Sequence, residues 1–276
     1  MLDSRGLDSR NVIRALFGAS PALIGAIHAQ ALPGTPANRH TVREIAEIAA
    51  AEAAIYAEAG FHGLILENTH DRPYLKGTSV GPEIVAALSI AGAEIRRAVP
   101  LSLGIQVLAG ANRAALAIAH ACGAAFVRVE GFVFAHVADE GIIESSAGDL
   151  LRYRRAIGAD NVLIFADIKK KHSAHAITAD VDIVETAKAA EFFSVDGVIV
   201  SGPATGSPAD PNEVQAVSSA VHVPTLIGSG ITAENLPRYR GADAFIVGSS
   251  VKSGGVWSGE LDRVRTRALV DALARL

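Results

Sequence analysis

Eight short apolar runs, each followed by a longer alanine-rich stretch, recur from one end of the chain to the other. This period is the strongest limit on what the chain can fold into. The runs are ALIGAIHA (22–29), GLILEN (63–68), LSLGIQV (101–107), AFVRVE (125–130), VLIFADI (162–168), GVIVSG (197–202), PTLIGSG (224–230) and AFIVGSS (244–250). Each is nearly continuously apolar and ends in polar or glycine residues, as a parallel strand buried on both faces requires. Helical stretches are predicted over 41–58, 80–97, 111–121, 147–157, 180–192, 210–219, 233–239 and 259–274, several with start signals such as Thr41 followed by Glu44, or Pro82 near a first turn. Eight strand–helix units in ~250 residues predict a (β/α)8 barrel. A doubly wound open sheet rarely needs eight repeats and usually carries GxGxxG after its first strand; here HAQALPGTP follows instead.

No low-complexity segment or long linker divides the chain, so one barrel domain is expected over 1–276. Residues 1–20 form an N-terminal extension in this reading, with a short helix over 11–18 closing one end of the barrel. Two connections are long, 29–40 after the first strand and 131–146 after the fourth. Both follow strands, so both belong to the barrel's C-terminal face, where long ordered loops shape sites. With 50% hydrophobic residues and a mean hydropathy of +0.30, the chain is neither disordered nor collagen-like. Its single cysteine, Cys122, excludes an intramolecular disulfide and any cysteine-based zinc or iron–sulfur cluster. A net charge of −4 and a pI of about 6.1 argue against nucleic acid as a partner. No run reaches the ~18 apolar residues of a membrane span. The opening MLDSRGLDSRNVIRALFG lacks the apolar centre of a signal peptide. The expected compartment is the cytoplasm, with peripheral membrane association left open.

Residues at the C-terminal ends of barrel strands face a common mouth. In order these are His28, Glu67 with Asn68, Gln106, Arg128 with Glu130, Asp167 with Lys169, Ser201, Ser229 and Ser249. Polar residues at all eight ends of otherwise apolar strands point to a functional site. The last two ends read LIGSGIT and IVGSSVK, placing Gly228, Ser229, Gly230, Gly248 and Ser249 where barrels commonly bind phosphate through backbone amides. Lys252 either adds charge there or stays in solvent.

ADIKKKHSAH (166–175) is the densest chemical stretch. Asp167 and Lys169 lie two apart and project to the same side if extended, so the carboxylate can position a lysine acting as general acid or charge stabiliser. Lys170 and Lys171 read as loop or surface charges. His172 and His175 serve acid–base chemistry or phosphate binding, or remain solvated loop residues. Glu67, Glu130 and Asp167 with His28 or His172 offer an alternative divalent-metal set, although no HExxH occurs. Ser201, Thr205 and Asp210 in SGPATGSPAD suit a polyol, or a helix cap at Asp210 ahead of Pro211. No predicted strand runs directly into a GxSxG turn and no P-loop is present, which disfavours a serine hydrolase and a nucleotide-binding loop of that kind.

Taken in order, IGAIHAQALPG, GFHGLILEN, GAAFVRVE, ADIKKKHSAH, VSGPATGSPAD, LIGSGITAENL and ADAFIVGSSVK resemble the BtpA/SgcQ family over roughly 20–270. The resemblance implies a ribulose-phosphate-binding type of barrel. It departs from the family pattern at Gln30 and Ala31, at Gln106 and Ala109–Gly110, and at Glu130, all on the mouth. The family name implies a role in photosystem I biogenesis at the thylakoid surface of cyanobacteria, while other members sit with sugar-uptake genes and look like sugar-phosphate enzymes. The expectation is therefore an enzyme acting on a phosphorylated sugar or nucleoside-derived sugar phosphate. Isomerisation, epimerisation, aldol cleavage and glycosidic cleavage are all open to it. Glu67, Glu130, Asp167, Lys169 and His28 are the candidate catalytic groups, and Asn68, Gln106, Arg128, His172, Ser201 and Thr205 the candidate substrate contacts. The sequence requires no cofactor, leaves a divalent metal open, and carries an expectation of self-association. An assembly factor with an exposed apolar patch and a sugar-phosphate sensor without turnover are the rivals.

Overall fold

The computed structural model describes residues 11–204 and 206–276. Thr205 and the first ten residues of the expected N-terminal extension lie outside the described residues. The strands, in chain order, are β1 (Ala22–His28), β2 (Gly63–Glu67), β3 (Ser102–Gln106), β4 (Phe126–Val129), β5 (His136–Ala138), β6 (Gly141–Ile143), β7 (Leu163–Ile168), β8 (Ser173–Ala174), β9 (Gly197–Val200), β10 (Thr225–Ile227) and β11 (Ala244–Val247). Eight of them, β1 to β4, β7 and β9 to β11, form a closed parallel barrel. Its seam closes where β1 pairs with β11, Ala22 opposite Ala244 and Gly25 opposite Val247. The remaining three, β6, β5 and β8, form a small antiparallel sheet from segments that follow β4 and β7. The long connection after the fourth strand is thus partly a hairpin, paired to the loop of the next barrel strand.

Seven helices alternate with the barrel strands: α2 (Val42–Ala59), α3 (Pro82–Ala98), α4 (Asn112–Cys122), α5 (Ala147–Ala156), α6 (Ile183–Phe192), α7 (Pro211–Ala220) and α8 (Arg263–Leu273). Thr41 opens α2 with a reciprocal capping box to Glu44, and Asp210 caps α7 by accepting from the Asn212 N–H at 2.9 Å, with Pro211 in the first turn. The helix expected over 233–239 is absent. A 3-10 turn, Leu236–Arg238, stands there because Thr232 and Asn235 close a tight turn on each other and Pro237 lacks an N–H.

Alternation along each strand sorts the apolar residues into two cores. Residues of one parity, among them Ile24, Ile65, Phe126, Phe165, Ile199, Leu226 and Ile246, fill the barrel interior. The other parity, such as Leu23, Leu64, Val127, Ile164 and Val198, packs under the helices. Gly104 belongs to the inner parity because a Cβ there would overlap the Phe126 ring, which fills the space instead. The short helix α1 (Val12–Phe17) packs Val12, Ile13 and Phe17 onto this inner core, and Phe17 meets Phe126 edge-on at 5.7 Å between ring centres. With that end filled, access is left at the opposite, C-terminal end of the strands. No helix among the described residues is long and apolar enough to cross a membrane.

Candidate functional site

One step beyond the apolar inner residues, the same parity places His28, Glu67, Gln106, Arg128, Glu130, Asp167, Ser201, Gly228 and Gly248 at the barrel's C-terminal end. Above them opens a cavity of about 760 Å³. Its walls include His28, Glu67, Gln106, Arg128 and Glu130 from β1 to β4, and Gly228, Ser229, Gly230, Gly248 and Ser249 from the ends of β10 and β11. His172 also reaches it. All but a few of the candidate residues therefore share one space.

Arg128 is the hub of its floor. Only 4% exposed, it donates Nε to Asp167 Oδ2 at 2.7 Å, Nη2 to Asp167 Oδ1 at 2.9 Å and Nη1 to Glu67 Oε1 at 3.3 Å. Burial opposes its charge, but Asp167 and Glu67 outweigh burial and hold the guanidinium firmly protonated. Burial raises the Glu67 carboxyl above the usual carboxylate range, with Arg128 only partly opposing. Glu130 is tied separately: Lys170 Nζ donates to Oε2 at 3.0 Å and Gln106 Nε2 to Oε1 at 3.4 Å. The Asn112 side chain holds the Glu130 backbone at both its N–H and its carbonyl.

The expected pairing of Asp167 with Lys169 does not occur. Lys169 takes a left-handed backbone conformation, φ +48°, so the strand alternation stops at Ile168. Its ammonium donates to the Thr178 carbonyl at 2.9 Å and hydroxyl at 3.2 Å, outside the mouth cavity. His172 is also left-handed, φ +53°. Between these two reversals Lys170 and Lys171 swing into the cavity wall, so neither is the surface charge expected of it. Burial and the nearby Arg128 charge lower the Lys171 amine to about 8, against the pull of Asp167, Glu67 and Glu130. Left-handed backbone at non-glycine residues leaves little trace in a sequence, so the strand alternation extrapolated through Ile168 gives the wrong direction for Lys169 to Lys171.

His28 is buried, and its Nδ1 lies 2.8 Å from the Trp257 carbonyl. A carbonyl only accepts, so Nδ1 carries the hydrogen. Burial and the Lys252 charge lower the ring to about 3, leaving it neutral near pH 7 with a bare Nε2. That nitrogen lies 3.0 Å from where a Cβ on Gly248 would sit. Trp257 itself is a cavity residue that sequence reasoning passed over; Arg72 stacks on its ring at 4.5 Å and His70 packs at 4.9 Å. Its standing as the sole tryptophan was the available signal.

The glycine side of the cavity is pinned from behind. Asn235 donates to the Gly230 carbonyl at 2.7 Å and accepts from the Thr232 N–H at 2.9 Å. Gly230 sits at φ +72°, where a Cβ would overlap the Ser207 carbonyl and Pro208. The Ser229 hydroxyl donates to that same Ser207 carbonyl at 3.1 Å. Arg265, from the first turn of α8, also lines this side. Lys252 is 1% exposed and sits 3.7 Å from Glu52 of α2, so it adds no free charge to the cavity.

Besides Lys169, and Asp167 behind Arg128, Asn68 and Ser201 also sit apart from the cavity wall. Asn68 is buried and fixes the Leu108 backbone, accepting from its N–H at 2.7 Å and donating to its carbonyl at 3.3 Å. Ser201 is buried at the end of β9, and its hydroxyl has no partner among the described residues. The alternative metal set is dispersed. Glu67 and Asp167 hold Arg128, Glu130 holds Lys170, and no group of three or more His, Cys, Asp or Glu is arranged for a metal among the described residues.

The chain resembles solved barrels over most of its length: a thiamine phosphate pyrophosphorylase from Pyrococcus furiosus (TM-score 0.55, 12% identity, 96% of this chain and 98% of that one) and a putative phosphonomutase from Burkholderia cenocepacia (TM-score 0.57, 16% identity, 87% and 91%). At those identities the likeness concerns the fold. Closer in sequence are an uncharacterized mitochondrial protein of Caenorhabditis elegans, 48% identical over 93% of this chain and 94% of that protein, and the photosystem I biogenesis protein BtpA of Synechocystis, 35% identical over 94% and 90%. The profile of the BtpA family matches residues 19–275, and the chain belongs to that family.

Proposed function

We propose that the chain is an enzyme of the cytoplasm acting on a phosphorylated sugar or nucleoside-derived sugar phosphate, held with its phosphate against the Ser229–Gly230 and Gly248–Ser249 amides, the Gly228 N–H being taken by the Val200 carbonyl at 2.8 Å. The observation that carries this reading is the division of one cavity. The ends of β10 and β11, with Arg265, bring glycine loops to it, and β1 to β4 with the segment after β7 bring a charged floor of Glu67, Arg128, Glu130 and Lys170 with neutral His28. An anion suits the first. The second offers an acid, a base and fixed positive charge for a carbonyl or anomeric carbon. His28 Nε2 is the base candidate, Glu67 the proton donor, and Asp167 positions Arg128. A volume of about 760 Å³ accommodates such a ligand.

Incubation with a panel of phosphosugars, followed by mass analysis of the products, tests it. Turnover of at least one member, inhibited by inorganic phosphate, is expected. Binding without turnover makes the chain a sensor, and neither binding nor turnover overturns the reading.

A second reading, docking to a protein partner, is favoured by one surface. Phe192 is 85% exposed beside Phe193, and Phe134 and Val181 border the same groove. Sedimentation of the protein and of a Phe192→Ser, Phe193→Ser double variant tests self-association there; identical sedimentation of the two removes this surface from it.

A further inference from the structure

Of the six lysines, four hold an acceptor: Lys169 binds Thr178, Lys170 binds Glu130, Lys188 binds Glu185 and Lys252 faces Glu52. Lys76 is not part of the cavity wall. Lys171 is different, because it lines the cavity yet has no hydrogen-bond acceptor or carboxylate in ion-pair range among the described residues. A half-buried ammonium without a partner is costly, and the protein does not solvate it fully either. The surrounding charges act on it from several elements: Arg128 from β4, Glu67 from β2, Asp167 from β7 and Glu130 just past β4. An electrostatic anchor for phosphate would be better served by an arginine fork or by the glycine amides after β10 and β11.

We propose that Lys171 is a nucleophilic amine that forms an imine with the carbonyl carbon of a phosphate-bearing aldehyde or ketone bound in the mouth cavity. The proposal rests on the phosphosugar reading for its ligand class and adds the mode of chemistry. At an amine value of about 8, a sizeable fraction is unprotonated near neutral pH. The nitrogen lone pair attacks the carbonyl carbon, and the C=O π pair moves to oxygen. Glu67, which burial keeps ready to hold a proton, relays a proton from nitrogen to that oxygen. Glu67 then delivers to that hydroxyl the proton Lys171 lost on becoming the free amine, and the nitrogen lone pair expels it as water to complete the C=N bond. One ammonium and one carbonyl become one iminium and one water, with no change of oxidation state.

Glycolaldehyde phosphate and dihydroxyacetone phosphate, each with sodium cyanoborohydride at pH 8, are the probes. Peptide mapping with fragmentation separates Lys171 from Lys169 and Lys170. The expected result is a reduced adduct on Lys171, at least tenfold above each other lysine and suppressed by inorganic phosphate. Adducts spread evenly over exposed lysines such as Lys188, or none on Lys171, overturn the proposal. Lys171→Arg should abolish the adduct while phosphate still binds by calorimetry, and the wild-type map stands alone should that variant not fold. The phosphosugar panel runs on the same preparation. Turnover without an adduct ends the imine and leaves the enzyme reading in place, whereas an adduct without turnover of any sugar does the reverse.

Discussion

Arg128 and Asp167 face each other across neighbouring barrel strands in a two-pronged contact, Nε to Oδ2 at 2.7 Å and Nη2 to Oδ1 at 2.9 Å, at a depth where the side chains are 5% and 2% exposed. The guanidinium plane is thereby fixed, and its remaining nitrogen is turned to Glu67. Breaking such a buried pair from one side typically costs about 3–5 kcal/mol, because the surviving charge has neither water nor partner. Arg128→Met leaves two carboxylates in that position. Urea denaturation should show a stability loss of this size, and a loss below about 1 kcal/mol would show the cluster to be well solvated.

The neutral state of His28 has a consequence for acid stability. The unfolded ring takes its proton near 6.5 and the folded ring only near 3, so between those values the unfolded chain binds more protons. The contribution of His28 is complete above about pH 6.5 and fades as pH falls toward 3, at about 1.4 kcal/mol for each unit of pH. His70 and His136, both lowered to about 4 chiefly by burial, act in the same direction. Urea midpoints measured from pH 7 to pH 4 should fall, and His28→Gln should flatten that slope. An unchanged slope in the variant would place the acid sensitivity elsewhere.

Much of this site could be read from the pleat alone. Once 22–29 and its counterparts are strands, alternation sends Ile24, Ala26 and His28 to one side, and the polar member of each such series marks the mouth. The same logic finds Glu67 beyond Ile65 and Asp167 beyond Phe165. It fails where the pleat ends. Lys169 and His172 reverse the chain with positive φ, and nothing in KKKH distinguishes the lysine that leaves the cavity from those that enter it. The β5–β6 hairpin escaped for a related reason: three-residue strands in a loop show too little periodicity to register. Residues such as Trp257 and Arg265 reach the cavity from connections and a helix start far from their strand ends.

Lys169 and Glu130 should separate under mutation, although the sequence offers both as catalytic groups. Lys169→Met removes two bonds to Thr178 beyond the cavity, at a cost of about 1 kcal/mol. Phosphosugar turnover per folded molecule should be unaffected. Glu130→Gln instead leaves Lys170 buried without its carboxylate, and should reduce turnover at least tenfold. Melting curves and steady-state kinetics on the two proteins measure both effects. Lost turnover in folded Lys169→Met would return that lysine to the mechanism.

Gly230 tests the proposed phosphate wall through shape rather than charge. Its φ of +72° disfavours any side chain, and a Cβ would overlap the Ser207 carbonyl and Pro208, neither of which is a flexible side-chain end. Gly230→Ala must therefore displace the segment that Asn235 holds by its carbonyl. The left-handed backbone alone costs about 1–2 kcal/mol, and the overlap adds to it. Amides that converge on an anion lose it when the loop shifts by a fraction of an ångström, so phosphate affinity should fall at least tenfold. Gly34, also at positive φ but with open space around its Cα, is the control: Gly34→Ala carries the same kind of backbone strain without the overlap, on a loop after β1 that does not line the cavity. Calorimetric titration with inorganic phosphate reads both variants. Equal phosphate affinity in Gly230→Ala and wild type would move the anion away from this loop.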